Sequence, residues 1–140
     1  MNIIIKLINY PKRLLIKSKF ISKQNLKDRF SIIHKNNYWD NSETVSGPGS
    51  TMKNTVNLRK KLKKIIKKYK IKSIFDAPCG DCNWIKGIIR NSSVKYIGAD
   101  IVDEIIKKNK KKFNFKNTFF YKKDITKNNL PKTDLFICRD

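Results

Sequence analysis

Lys72-Ser-Ile-Phe-Asp-Ala-Pro-Cys-Gly-Asp-Cys-Asn-Trp84 is the stretch on which the fold turns. Ile71–Phe75 is a short apolar run that predicts a buried strand. Ala77, Pro78 and Gly80 supply a tight turn, and Asn83–Arg90, with Trp84, Ile85, Ile88 and Ile89 apolar, predicts a helix. A strand–turn–helix junction presents free backbone N–H groups to whatever binds above it. Cys79 and Cys82 give the same turn the spacing of a redox dithiol, so two chemistries compete for it.

Working outward, Thr55–Lys70 places Leu58, Leu62, Ile65, Ile66 and Tyr69 on one helical face, with lysines on the other. Downstream, Val94–Ala99 reads as a second strand, and a helix from Val102 buries Ile105 and Ile106. Phe119–Lys122 reads as a third strand and Asp134–Cys138 as a fourth, joined by a loop because Pro131 lies between them. Strands alternating with helices predict an α/β fold: a Rossmann-like parallel sheet of about four strands, flanking helices and a helical N-terminal extension. Residues 1–52 read as a basic extension and linker, and residues 53–140 as the sheet domain. An apolar fourth strand would leave an unpaired edge, so the domain is expected to be incomplete at its C-terminus: a fragment, a truncated reading frame or one piece of a larger assembly, not expected to be active alone.

Within the extension, Pro11 can open a helix carrying Leu14, Leu15, Lys17 and Phe20, expected to pack on the domain rather than lie on lipid. Asn36–Thr51, with Ser46-Gly-Pro-Gly-Ser50, has the turn composition of a linker, in which Tyr38 and Trp39 either cover a pocket or anchor the segment. His34 has no partner at metal spacing and reads as a surface or packing residue.

The net charge of +22 would ordinarily indicate nucleic acid or an anionic surface. Its basis is lysine: the arginines are Arg13, Arg29, Arg59, Arg90 and Arg139 alone, and Lys, Ile and Asn dominate, as in a protein of an AT-rich genome. Nucleic-acid binding is therefore kept as an alternative only, since phosphate and base edges favour the planar fork of arginine. Three cysteines are too few for a disulfide framework, and a reducing, cytoplasmic setting is expected. Cys79, Cys82 and Cys138 lack a second paired motif, so no metal site is assigned. The apolar run Met1–Ile8 ends at Tyr10-Pro11-Lys12-Arg13, too short for a membrane span and without signal-peptide flanks.

The strand ends carry the chemistry. The first runs into Asp76-Ala77-Pro78-Cys79-Gly80, the second ends Gly98-Ala99-Asp100-Ile101, and the third runs into Lys123-Asp124-Ile125-Thr126. Ligands of open parallel sheets sit over these ends, and an acidic residue about 20 positions beyond a glycine turn can accept ribose hydroxyls. Asp100 follows Gly80 at that interval, and Asp124 is placed to accept from an adenine amine. A single aspartate here would read as a helix cap; three in register read as a site.

Residues 71–140 resemble the first half of a class I S-adenosylmethionine-dependent methyltransferase. Phe75-Asp76-Ala77-Pro78-Cys79-Gly80 is similar to the family's glycine-rich first motif, Tyr96-Ile-Gly-Ala-Asp100 to the ribose-binding second, and Lys123-Asp124-Ile125-Thr126 to the adenine-contacting third. Asp134–Asp140 resembles the fourth strand beside the methyl-transfer site, where Arg139 and Asp140 could orient or deprotonate an acceptor. Ser46–Ser50 and the following helix resemble a segment that some bacterial members carry. The resemblance implies S-adenosylmethionine as cofactor, contacted by Asp76, Ala77, Pro78, Cys79, Gly80, Asp100, Ile101, Asp124 and Ile125. The methyl acceptor, small molecule or macromolecule, and the catalytic residues remain unassigned. The first motif's small positions hold Pro78, Gly80 and Cys82, of which only Gly80 is free to take positive φ.

The thioredoxin-like alternative uses Cys79 and Cys82, with Asp76 as the buried acid and Pro131, before a strand, standing in for that fold's cis-proline. It gives Asp100 and Asp124 no role, and the methyltransferase-like reading is preferred.

Overall fold

The computed structural model describes residues 25–90, 93–127 and 129–139. The predicted helix after Pro11, the run Met1–Ile8 and Asp140 lie outside the described residues. In chain order the elements are α1 (Leu26–Lys35), a 3-10 turn (Pro48–Ser50), α2 (Val56–Lys68), β1 (Ser73–Asp76), α3 (Lys86–Arg90), β2 (Lys95–Asp100), α4 (Asp103–Lys112), β3 (Thr118–Lys122) and β4 (Leu135–Ile137). The strands form one four-stranded, all-parallel sheet in the order β3-β2-β1-β4. After β3 the chain crosses back to the far side of β1, so strand order reverses between β1 and β4. Ligands of open α/β sheets bind at such a switch point.

Burial falls from the centre of the sheet outward. Ile74, Phe75 and Asp76 of β1 are all buried, whereas β3 and β4 bury little beyond Phe120. Successive strand residues face opposite sides, so β1 divides the core. Ile74 joins Leu62, Trp84, Ile85, Ile88, Ile89, Tyr96, Ile106, Phe113 and Phe120 in the larger cluster. Phe75 joins Ala77 and Ala99 in the smaller one and stacks on Phe136 at 5.4 Å between ring centres. Asp134 ties the start of β4 to the start of β1: its Oδ2 accepts from the Lys72 and Ser73 backbone N–H groups at 2.8 Å each.

Two elements depart from the sequence expectation. The predicted apolar face of α2 is mostly open: Leu62 is buried and Ile66 packs on the core, but Leu58, Ile65 and Tyr69 are exposed. This helix touches the core along the single line Leu62–Ile66. It ends in a Schellman motif, with Lys70 at φ 51 and the Ile71 N–H donating to the Ile66 carbonyl at 3.0 Å. The helix expected over Asn83–Arg90 begins only at Lys86. Cys82 takes φ 56, against the expectation that only Gly80 would enter the left-handed region, and the following residues turn before the helix can start. Among the described residues no helix is long and apolar enough to cross a membrane.

Glycine sets the spacing between β2 and β3. A Cβ on Gly98 would stand 2.7 Å from the Phe120 ring, which is held between Tyr96 and Phe113. Gly87, in the exposed part of α3, has open space around it. Gly98→Ala is expected to lower stability by about 1–3 kcal/mol through overpacking. Gly87→Ala should raise it by about 0.5–1 kcal/mol through helix propensity. Urea unfolding of both variants checks the pair; equal effects would refute this account of the β2–β3 spacing.

Candidate functional site

Beyond β1 the chain is stitched alternately to its two neighbours. The Ala77 N–H donates to the Ile137 carbonyl at 2.9 Å and the Cys79 N–H to the Ala99 carbonyl at 2.8 Å. Gly80 then turns with φ 53, a conformation cheap only for glycine. Its N–H donates to Asp100 Oδ2 at 3.0 Å, while Asp100 Oδ1 accepts from the Val102 N–H at 3.0 Å. One carboxylate therefore joins the glycine turn to the end of β2 and the start of α4. From α4, Asn109 Nδ2 donates to the Gly80 carbonyl at 2.7 Å, fixing the turn from its other side.

The segment read as a linker lies against this turn. Asp81 gathers it: the carboxylate accepts from Thr44 Oγ1 at 2.9 Å, the Val45 N–H at 3.1 Å and Ser46 Oγ at 3.0 Å. Ser46 Oγ in turn accepts from the Asp81 N–H at 3.0 Å, so close to the turn that a Cβ on Gly80 would fall 2.1 Å from it. Arg139, just past β4, donates to Ser50 Oγ at 3.1 Å and to the Gly49 carbonyl, with its guanidinium over the Trp84 ring. Trp39 packs against Gly47.

These parts enclose a cavity of about 290 Å³ over the carboxyl ends of the strands. Pro78, Cys79, Gly80, Asp100, Ile101, Asp124 and Ile125 line it, joined by Leu26, Phe30, His34 and Trp39 from before the sheet and Arg139 from after β4. Asp76 and Ala77, predicted with them, lie beneath the floor: both are 1% exposed and neither lines the cavity. The ladders explain this. Asp76 pairs with Gly98, and Asp100 with Lys122, so the carboxylates are staggered, each two residues further along than the last, rather than level.

Each carboxyl has its own environment. Burial pushes Asp76 up to about 7, opposed by the hydrogen bond that Tyr96 donates to it at 2.6 Å. Burial also raises Asp100, against the pull of the Val102 and Gly80 N–H groups. Asp124 is held low by Thr126, whose hydroxyl and backbone N–H both donate to its Oδ1. Cys79 and Cys82 are buried free thiols, and the hydrogen bond with Cys82, together with burial, pushes the Cys79 thiol up.

Several site residues escaped the sequence reading. Asn109 carried a faint signal, a polar residue in phase with Ile105, Ile106 and Phe113 on a face that should be apolar. Asp81 carried none, and Ser46 stood out only as part of the Ser46–Ser50 segment; neither residue type implies a bond 35 positions away. Searches against protein families, curated proteins and solved structures find no match to this chain.

A carboxyl whose folded pKa is raised binds its proton more tightly in the folded state. The stability it contributes is full below the unfolded value of 3.8 and is lost as pH rises through about 7 for Asp76. Asp100 acts in the same direction. Asp76→Asn keeps an acceptor for Tyr96 and removes the ionisation, so urea midpoints across this range should fall less steeply with pH than in the wild type. Identical slopes would show that Asp76 titrates normally.

Proposed function

We propose that the cavity is a nucleoside site and that the chain is an S-adenosylmethionine-dependent methyltransferase domain acting on an acceptor yet to be identified. The observation that carries this is Asp100. Its carboxylate lies at the end of a central strand, oriented by two backbone N–H groups, on the wall of a cavity at the switch point of a parallel sheet. Such a carboxylate suits the paired hydroxyls of a ribose.

The residues fit the cofactor in two further respects. The cavity, at about 290 Å³, lies just below the roughly 300–1,000 Å³ of small-molecule sites. Its walls are largely apolar, with Phe30, Trp39, Ile101 and Ile125 available to a purine ring. The carboxylates at the glycine turn, Asp100 and Asp81, favour hydroxyls and a cation over a pyrophosphate. α3 starts too late, at Lys86, to offer its N-terminus to a phosphate at Gly80. In this reading Asp100 holds the ribose, Asp124 and Ile125 border the adenine, and Pro78, Cys79 and Gly80 border the methionyl part. When bound, the cofactor supplies a methyl group on a sulfonium, and the protein's work is to position it and exclude water.

The thiol environment works against the redox alternative. A redox dithiol needs an accessible thiolate of lowered pKa, whereas the Cys79 thiol is buried and raised.

Calorimetric titration with S-adenosylhomocysteine tests the proposal. Hydrogen bonds to a charged group contribute about 1.5–3 kcal/mol, so Asp100→Asn should weaken binding roughly 10- to 100-fold. Circular dichroism would check that the variant keeps its fold. Unchanged affinity in a folded Asp100→Asn variant would sink the assignment of the ribose to Asp100.

A further inference from the structure

The chain has one histidine, His34, and its place in the cavity calls for more than a packing role. Leu26, Phe30 and His34 recur every four residues along α1, so one stripe of the helix faces the cavity, and all three line it. The stripe is apolar at its first two places and polar at the third.

That polar residue is 7% exposed, and its Nδ1 is buried without a hydrogen-bond partner. An unpartnered buried nitrogen costs about 1–3 kcal/mol, and such groups in a folded protein call for an explanation. Leu or Phe at this place would continue the stripe without that cost. The groups acting on the ring are Lys108 and Glu104 of α4, Asp100 at the end of β2 and Asp81 of the glycine turn. Burial, then Lys108, holds the imidazole below its ordinary pKa and so neutral near pH 7. A neutral imidazole carries one donor and one acceptor nitrogen, which matches a hydroxyl better than it matches a charged group.

We infer that His34 is a ligand-binding residue of the cavity, whose ring nitrogen hydrogen-bonds a hydroxyl of the bound nucleoside within electrostatic reach of the Asp100 carboxylate. This rests on the nucleoside reading above and extends it. The N-terminal segment then contributes recognition as well as cover.

The test uses S-adenosylhomocysteine, the full chain and the histidine's uniqueness. Because His34 is the only histidine, its two ring-nitrogen signals in a long-range ¹H–¹⁵N spectrum are unambiguous. They are expected to shift as the ligand saturates. His34→Phe, which keeps the volume and loses the nitrogens, should weaken binding about 5- to 150-fold, the range set by leaving a buried hydroxyl unpaired. His34→Gln, which keeps polar atoms, should stay within about threefold of wild type. If Asp100→Asn weakens binding while His34→Phe binds like wild type, the inference about His34 fails alone. Weakened binding in His34→Phe with ring-nitrogen signals that stay fixed on ligand addition would mark a purely structural role and overturn it as well. If the wild type does not bind the ligand, both this inference and the nucleoside reading fall.

Discussion

The Asp100 carboxylate is the constraint on which the site depends. It accepts from Gly80 with one oxygen and from Val102 with the other, so the turn after β1, the end of β2 and the start of α4 share one anion. Burying that charge is costly, and its fixed backbone partners offset the cost only in part, since burial still raises the Asp100 carboxyl. The positive φ of Gly80 aims its N–H at Asp100, and Asn109 holds the carbonyl of the same residue from the opposite side. The geometry of the turn is thus over-determined. The left-handed conformation of Cys82, unfavourable for a residue with a side chain, persists inside that frame.

The site is completed by segments distant in sequence. Asp81 collects three groups from the Thr44–Ser46 stretch, and Arg139 reaches back to Gly49 and Ser50. Glu43 accepts from Asn83 at 2.6 Å and from the Met52 N–H at 2.7 Å, adding a second seam. What composition presents as a linker is a wall, fastened by polar bonds rather than by a hydrophobic face. Charge is divided accordingly. The lysines of α2 and α4 lie largely outward, while Asp81 and Asp100 hold the glycine turn. The net charge of +22 is a property of the whole sequence and does not describe the cavity, which both acidic and basic side chains line.

The alternation of short apolar strands with helices was legible because a parallel sheet imposes it: each crossover needs a helix, and central strands are apolar on both faces. β1 and β2 were found within a residue or two for that reason, as was the placing of Asp100 and Asp124 at the cavity. Asp76 was misplaced because an aspartate at a strand end looks the same whether it faces a ligand or a tyrosine. Ladder register separates the two, and register follows from pairing partners that no local pattern names. The exposed face of α2 was missed for a related reason. Helical periodicity shows which residues share a face, not whether anything covers it.

Composition and periodicity alone determined the α/β class, the parallel sheet, the glycine turn and the carboxylates at the strand ends. These are local consequences of strand and helix periods and of glycine's freedom at φ above zero. Only the tertiary structure decided that Asp76 is buried against Tyr96, that Asp81 and Ser46 bind the upstream segment to the turn, and that Asn109 and His34 belong to the site. Each of these is a contact between polar groups far apart in the chain. The hydrogen bonds that specify such contacts depend on distances set by the packed sheet, and the order of residues does not contain those distances.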